Sequence, residues 1–181
     1  QDLRGMKIRT IPSPLQQEMV RLLGASPTPI AWSELYTALA TGVVSGTKNG
    51  VQDIVAMNFH ENIRYLTVDR HAYMGALWWF SEPRWERLSA EEQAVVAAGM
   101  ARLREVTLAA PKAREAEAYR VFRGAGGEVL ALDEAARRDF KRAVAPLRAW
   151  YAARHGEQWL THLDAALGDC EAAHARDEST R

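Results

Sequence analysis

Residues 6–42 read MKIRTIPSPLQQEMVRLLGASPTPIAWSELYTALATG, and the order of elements written there decides the fold class. Met6 and Ile8 alternate with Lys7 and Arg9, the period of a strand with one covered face, and Pro12 and Pro14 close it. Arg9 therefore falls near the carboxyl end of a strand. Ser13 is a helix N-cap with a proline in the first turn behind it. Leu15, Met19, Leu22 and Leu23 then recur at helical spacing until Gly24 ends the helix. After a turn at Ser26-Pro27, Thr28 to Ala31 reads as a second short strand and Ser33 to Thr41 as a helix stopped by Gly42. Strand, helix, strand, helix in so short a span predicts an α/β layer with a parallel sheet rather than a bundle or a sandwich.

Working outward, Val43 to Gly50 is a turn-rich polar loop holding Ser45, Thr47, Lys48 and Asn49, followed by a helix from about Gly50 to Glu61. Ile63 to Val68 and Tyr73 to Phe80 are apolar candidate strands. Ser89 and Glu92 form a capping box that opens a long helix through Val95, Val96, Met100, Leu103 and Val106, which Pro111 kinks or ends. The helical pattern resumes at Tyr119 to Phe122, stops at Gly124, Gly126 and Gly127, and gives way to a short strand at Glu128 to Leu132. Asp133 caps a helix carrying Phe140, Val144, Leu147 and Trp150, with a bend at Pro146. Trp159, Leu160, Leu163 and Leu167 outline a last helix, and the polar end from Glu171 to Arg181 is expected to fray.

The 181 residues carry 23 Lys plus Arg against 23 Asp plus Glu, a formal charge of zero, which argues against a dedicated nucleic-acid surface. An apolar share of 48% is enough for a core. No apolar run approaches the roughly 18 to 20 residues of a bilayer-spanning helix, since Ala94 to Ala101 is bounded by Gln93 and Arg102, so the chain is not expected to span a membrane. The single cysteine, Cys170, makes no internal disulfide and leaves the redox compartment open. Gln1 to Gly5 shows no leader pattern, which fits a cytoplasmic protein or a mature or truncated chain.

Motifs for catalysis fail on inspection. The loop Gly42 to Lys48 has too few residues between its glycines for a phosphate-binding loop, and Thr47 stands where that motif requires lysine. His60-Glu61 begins like a zinc-protease helix but has Arg64 in place of the second histidine. His60, His71, His155, His162 and His174 otherwise lack ligand spacing, no nucleophile elbow is present, and no cofactor is expected. What survives is Arg9 at a strand end, Trp32 at a helix start and Asn49 in the polar loop. These lie where ligands collect in an α/β sheet, and guanidinium, indole and amide suit a carboxylate-bearing ligand. Each has a plainer reading: Arg9 as a solvated strand residue, Trp32 as core, and Asn49 as the cap of the next helix with Gln52 completing a capping box.

At these residues the sequence resembles the DctP family, the solute-binding proteins of tripartite ATP-independent periplasmic (TRAP) transporters. The matching text is Gly5-Met-Lys-Ile-Arg9-Thr, the block from Gly24 to Gly46 through Trp32 and Tyr36, then Asn49, Tyr65-Leu-Thr, His71-Ala-Tyr73 and Trp85-Glu-Arg-Leu-Ser89. The resemblance implies a periplasmic-binding-protein-like α/β fold of two lobes that close on a ligand, here the second lobe plus part of the first, with long connecting helices. It implies a second-lobe segment over 1–72 carrying the cleft residues, a first-lobe crossover over 73–114, a return to the second lobe over 115–170 and a polar tail over 171–181. Arg9 would clamp the ligand carboxylate, Trp32 would pack beside the ligand, Asn49 would help hold the carboxylate, and His71 would stand at the cleft rim. The implied function is capture of a small organic acid in the periplasm and delivery to TRAP membrane permease subunits, without chemistry.

Two departures from the family pattern stand out. Lys48 and Gly50 occupy loop positions where the family has glutamate and proline. A Lys48 facing the cleft would favour a more anionic ligand, whereas one facing solvent would change little. The chain also lacks a preceding stretch of comparable size, and an exported N-terminus is expected among the missing residues. The alternatives are an enzyme whose catalytic groups lie in that missing part and a sensory ligand-binding domain.

Overall fold

The computed structural model describes residues 3–72, 75 and 77–178. In chain order they form β1 (Lys7–Thr10), α1 (Pro14–Leu22), β2 (Ser26–Pro29), a 3-10 turn at Trp32–Glu34, α2 (Leu35–Ala40), β3 (Gly46–Thr47) and α3 (Val51–Ala56). A second 3-10 turn at Phe59–Glu61 leads to β4 (Tyr65–Val68), α4 (Glu82–Trp85), α5 (Ala90–Ala109), α6 (Pro111–Gly124), β5 (Glu128–Ala131), α7 (Glu134–Val144), α8 (Pro146–His155) and α9 (Gln158–Glu178). They gather into two compact units, the first made of Gln1–Lys48 with Asp133–Arg181 and the second of Asn49–Leu132. These boundaries differ from the lobe segments implied by the resemblance, which change at 72/73, 114/115 and 170/171.

The first unit is built on a parallel three-stranded sheet in the order β2-β1-β3. Strand β2 begins at Ser26, not after a turn there, and its two prolines explain why a strand is possible. The Ser26 and Ile30 N–H groups donate to the carbonyls of Met6, just before β1, and Thr10, at its end, at 2.9 and 3.2 Å. Pro27 and Pro29 alternate with these donors, so the N–H they lack would face away from β1 on the edge of the sheet. The loop expected over 43–50 contains β3, which pairs with β1 through Ile8↔Gly46 and Arg9↔Thr47. The Ser13 hydroxyl accepts from the Gln16 N–H and caps α1, and the helix packs on β2, α7 and α8. The expected helix over Ser33 to Thr41 starts as the 3-10 turn, and Val20, Ala25, Leu35, Ala38, Leu39 and Val44 are buried in this unit. Asp133 caps α7 by accepting from the Ala136 N–H at 2.7 Å, and at Pro146, where a bend was expected, α7 gives way to α8 through Ala145, which keeps helical φ and ψ of −51° and −37°. The polar end is helical through Glu178, and residues 179–181 lie outside the described residues.

In the second unit the helix expected to reach Glu61 ends at Ala56, because Asn58 takes a left-handed φ of 57° before the 3-10 turn. Strands β4 and β5 pair in parallel from Tyr65↔Glu128 to Val68↔Ala131. Val51, Ile54, Phe59, Leu66, Ala118 and Phe122 are its buried apolar residues. The capping box forms, with the Ser89 N–H donating to Glu92 Oε2 at 2.7 Å and the Glu92 N–H to Ser89 Oγ at 3.3 Å. The helix it opens, α5, has no buried residue, and its Val95 and Val106 are exposed. Of the expected strand over Tyr73 to Phe80, residues 77–80 are irregular and exposed, while Tyr73, Met74 and Ala76 lie outside the described residues.

Helices α1 and α6 end alike, and each runs at once into a strand. Gly24 and Gly126 take φ of +90° and +89°, their N–H groups donate to Arg21 and Arg123 carbonyls, and those of Ala25 and Gly127 donate to Val20 and Phe122 carbonyls. This is the six-to-one and five-to-two pairing of a Schellman cap. At Gly127 a side chain would run into the fully buried Phe122 ring. Gly127→Ala should therefore destabilise the protein by about 1–3 kcal/mol in urea unfolding, whereas Gly99→Ala, in open space within α5, should stabilise it by about 0.5–1 kcal/mol. Equal midpoints for the two variants would contradict the packing described at Gly127.

Candidate functional site

Arg9 sits on the central strand, level with Thr28 of β2 and Thr47 of β3. It is not solvated: only 4% of the residue is exposed. Its Nε–H donates to the Ile30 carbonyl at 3.0 Å, and its guanidinium carbon lies 5.4 Å from the centroid of the Trp32 ring. Among the described residues no carboxylate lies within ion-pair distance of it. Desolvation by burial lowers its pKa, but a guanidinium stays protonated in proteins. A buried cation without a protein counter-charge is the arrangement that an anionic ligand relieves.

Trp32 is not core, with 38% of the residue exposed, and it opens the 3-10 turn that follows β2. The structure thus brings Arg9 and Trp32 together as a cation–π pair, a contact worth roughly 0.5–2 kcal/mol. Sequence reasoning missed the Ile30 carbonyl that anchors the Arg9 fork, because a backbone oxygen leaves no mark on residue type. Lys48 follows β3 directly and is half-buried rather than solvated. Asn49 is half-buried and begins the second unit. It does not cap α3: the N-cap is Gly50 with no side-chain bond, and Gln52 donates to the Pro111 carbonyl at 3.3 Å instead of closing a box.

His71 lies in the second unit, in the irregular segment after β4. Arg70 before it takes a left-handed φ of 51°, and across that turn the His71 ring Nδ1 lies 2.7 Å from Asp69 Oδ1, an oxygen that also accepts from the His71 N–H at 3.4 Å. Burial alone would raise the Asp69 pKa, but its hydrogen bonds and charge interaction with His71 outweigh that and hold it below the ordinary 3.8. The groove between α8 and α9 in the first unit has Arg148 paired with Asp164 at 2.6 Å, so its cation is already matched. Among the described residues no group of three or more His, Cys, Asp or Glu is placed to hold a metal ion, and no helix is long and apolar enough to cross a membrane.

Comparison with known proteins adds a family. The DctP model, "Bacterial extracellular solute-binding protein, family 7", matches residues 1–154. The sialic acid-binding periplasmic protein SiaP of Vibrio cholerae is 28% identical over 165 residues, 91% of this chain and 50% of that protein. A TRAP periplasmic solute-binding protein from Desulfovibrio salexigens, solved with bound orotic acid, matches with a TM-score of 0.80 at 29% identity, covering 91% of this chain and 53% of that one. The periplasmic ectoine-binding protein of the TeaABC TRAP transporter of Halomonas elongata matches with a TM-score of 0.82 at 27% identity, covering 94% of this chain and 56% of that one. The chain spans about half the length of these relatives.

The Asp69–His71 pair yields a prediction with a fixed sign. A carboxyl whose folded pKa is depressed contributes stability above its unfolded pKa and loses it as pH falls through the folded value. Asp69→Asn should therefore lower the urea midpoint at pH 7 and flatten its decline below about pH 4. Parallel pH profiles for the variant and the unaltered protein would show that the pair contributes nothing.

Proposed function

We propose that this protein, which belongs to the DctP family of bacterial extracellular solute-binding proteins (family 7), captures a small organic acid in the periplasm and delivers it to the permease subunits of a TRAP transporter. Its α/β fold is that of the TRAP periplasmic solute-binding proteins, of which it covers about half. The observation that carries the reading is Arg9: a buried guanidinium at the carboxyl end of the central strand, braced by Ile30 and Trp32, with no carboxylate partner among the described residues. A planar fork held in this way suits bidentate contact with a carboxylate. The relatives named above bind sialic acid, orotic acid and ectoine, which supports a carboxylate-bearing ligand.

In this proposal Arg9 makes the salt bridge to the ligand, Trp32 supplies a rigid wall, and Asn49 orients the remaining carboxylate oxygen. His71 is assigned to the cleft rim, and Lys48 to tuning the charge that the site accepts. Segments 1–72 and 115–170 belong to the second lobe, and 73–114 to a crossover into the first. Binding shifts the lobes toward closure to the extent that the ligand prefers the closed state, and the protein does no chemistry on its cargo. The test is a thermal-shift and calorimetric screen of dicarboxylates, keto acids and sugar acids. Arg9→Ala should weaken every acid that binds by at least about thirtyfold. Full retention of carboxylate binding in that variant would remove Arg9 from the role and the reading with it.

A further inference from the structure

Helix α9 (Gln158–Glu178) lies beyond residue 154, where the family match ends, so its surface is not part of what that match describes. One side of the helix is tied down, because Asp164 pairs with Arg148 of α8 at 2.6 Å. At about 100° per residue, Trp159, Leu163, Ala166 and Cys170 fall on one stripe, turned roughly a third of a turn away from Asp164. All four are exposed, Trp159 to 63% and Leu163 to 49%, and Leu167 beside them is half open. Their spacing of four, three and four residues is that of the seam between two paired helices. An apolar seam left open along one helix calls for cover.

We propose that a second copy of this chain covers the stripe, its α9 running antiparallel to the first. The occupant follows from how size and charge are distributed along the seam. The large residues, Trp159 and Leu163, come first, and the small ones, Ala166 and Cys170, follow. Turning one helix end for end about a twofold axis sets Trp159 against the partner's Cys170 and Leu163 against the partner's Ala166. Every layer then joins a large side chain to a small one. A parallel pair would stack indole on indole and leave alanine facing alanine, a crowded layer near an empty one. The same turn brings His162 to the partner's Asp169 on the flank away from α8, once on each side of the axis. The His162 ring already lies against Trp159, with centroids 5.9 Å apart, which keeps it at the edge of the seam. A 21-residue helix is about 31 Å long, and one pair of such helices buries less than the roughly 1,200 Å² of a permanent interface. The dimer is therefore reversible, with a Kd of about 10–100 µM. It is independent of Arg9 and of the ligand.

Sedimentation velocity on the unaltered chain from about 1 to about 300 µM should show a monomer giving way to a dimer as concentration rises. Leu163→Lys puts two cations into the seam and should weaken the dimer at least about tenfold, with the melting temperature of the monomer unchanged because residue 163 is exposed. If that variant melts early, Leu163→Gln makes the same test. His162→Asp sets a carboxylate against the partner's Asp169 and should weaken the dimer about three- to tenfold, and adding Asp169→His should restore it. A short bis-maleimide reads the direction of the pair. Antiparallel helices hold the two Cys170 thiols about 16 Å apart along the axis, so the unaltered protein should not cross-link. Cys170→Ala with Ala166→Cys brings the thiols within about 5 Å along the axis and should cross-link. A monomer throughout the range overturns the proposal, as does a dimer indifferent to the change at Leu163. Cross-linking through Cys170 but not through residue 166, or a charge exchange that restores nothing, overturns the antiparallel pairing. A monomer that instead sediments with phosphatidylcholine vesicles, and no longer does so after Leu163→Lys, would overturn the proposal in favour of a lipid surface.

Discussion

Arg9 places a positive charge at the end of the central strand of a small parallel sheet, with one N–H on the Ile30 carbonyl and the ring of Trp32 beside the guanidinium. Taking an ion out of water costs several kcal/mol even after the protein relaxes. One hydrogen bond and one cation–π contact offset only part of that. The surrounding structure makes sense as the means of holding the charge in place. Strand β1 must be central so that the stem is enclosed from both sides, and β2 must run on past Pro29 so that Ile30 and Trp32 meet the fork. The alternating prolines of β2 allow this because an edge strand needs donors on one side only.

Local signals read well where the physics is local. Ser13, the Ser89–Glu92 box, Asp133 and the glycines after α1 and α6 act within a turn of themselves, and the structure forms those caps. Strand β3 was illegible because two residues carry no periodicity; only pairing with Ile8 and Arg9 makes Gly46–Thr47 a strand. Helix α5 shows a different limit. Its apolar spacing through Val95 and Val106 predicted the helix, which forms, yet both residues are exposed. Periodicity reports which face of a helix calls for cover, and says nothing of whether these 181 residues supply it.

The site divides along the same line. Residue type and strand-end position were enough to single out Arg9 and Trp32, although neither plainer reading survives: the arginine is buried and the tryptophan is half-open. The reading of Asn49 as a cap failed because Gly50 takes that position, and no sequence rule distinguishes two adjacent residues that are both acceptable at an N-cap. Thr28 and Thr47 went unnoticed because their relation to Arg9 exists only across strands. They follow Arg9 by 19 and 38 residues in the chain, and parallel register alone makes them level with it.

The zero formal charge acquires a physical meaning from this arrangement. A surface that captures acids by bulk attraction needs an excess of cations, and salt screens it over roughly 8–10 Å. A single guanidinium in a poorly solvated setting acts differently. At about 4 Å a pair of unit charges is worth roughly 1 kcal/mol in water and roughly 4 kcal/mol at the effective dielectric of protein surroundings. Placing one arginine where water is largely excluded therefore strengthens attraction for an anion more than several exposed lysines would. The remaining charges are free to balance, as 23 against 23 do here. The neutral groups that the structure sets against the cation are the indole of Trp32 and the carbonyl of Ile30.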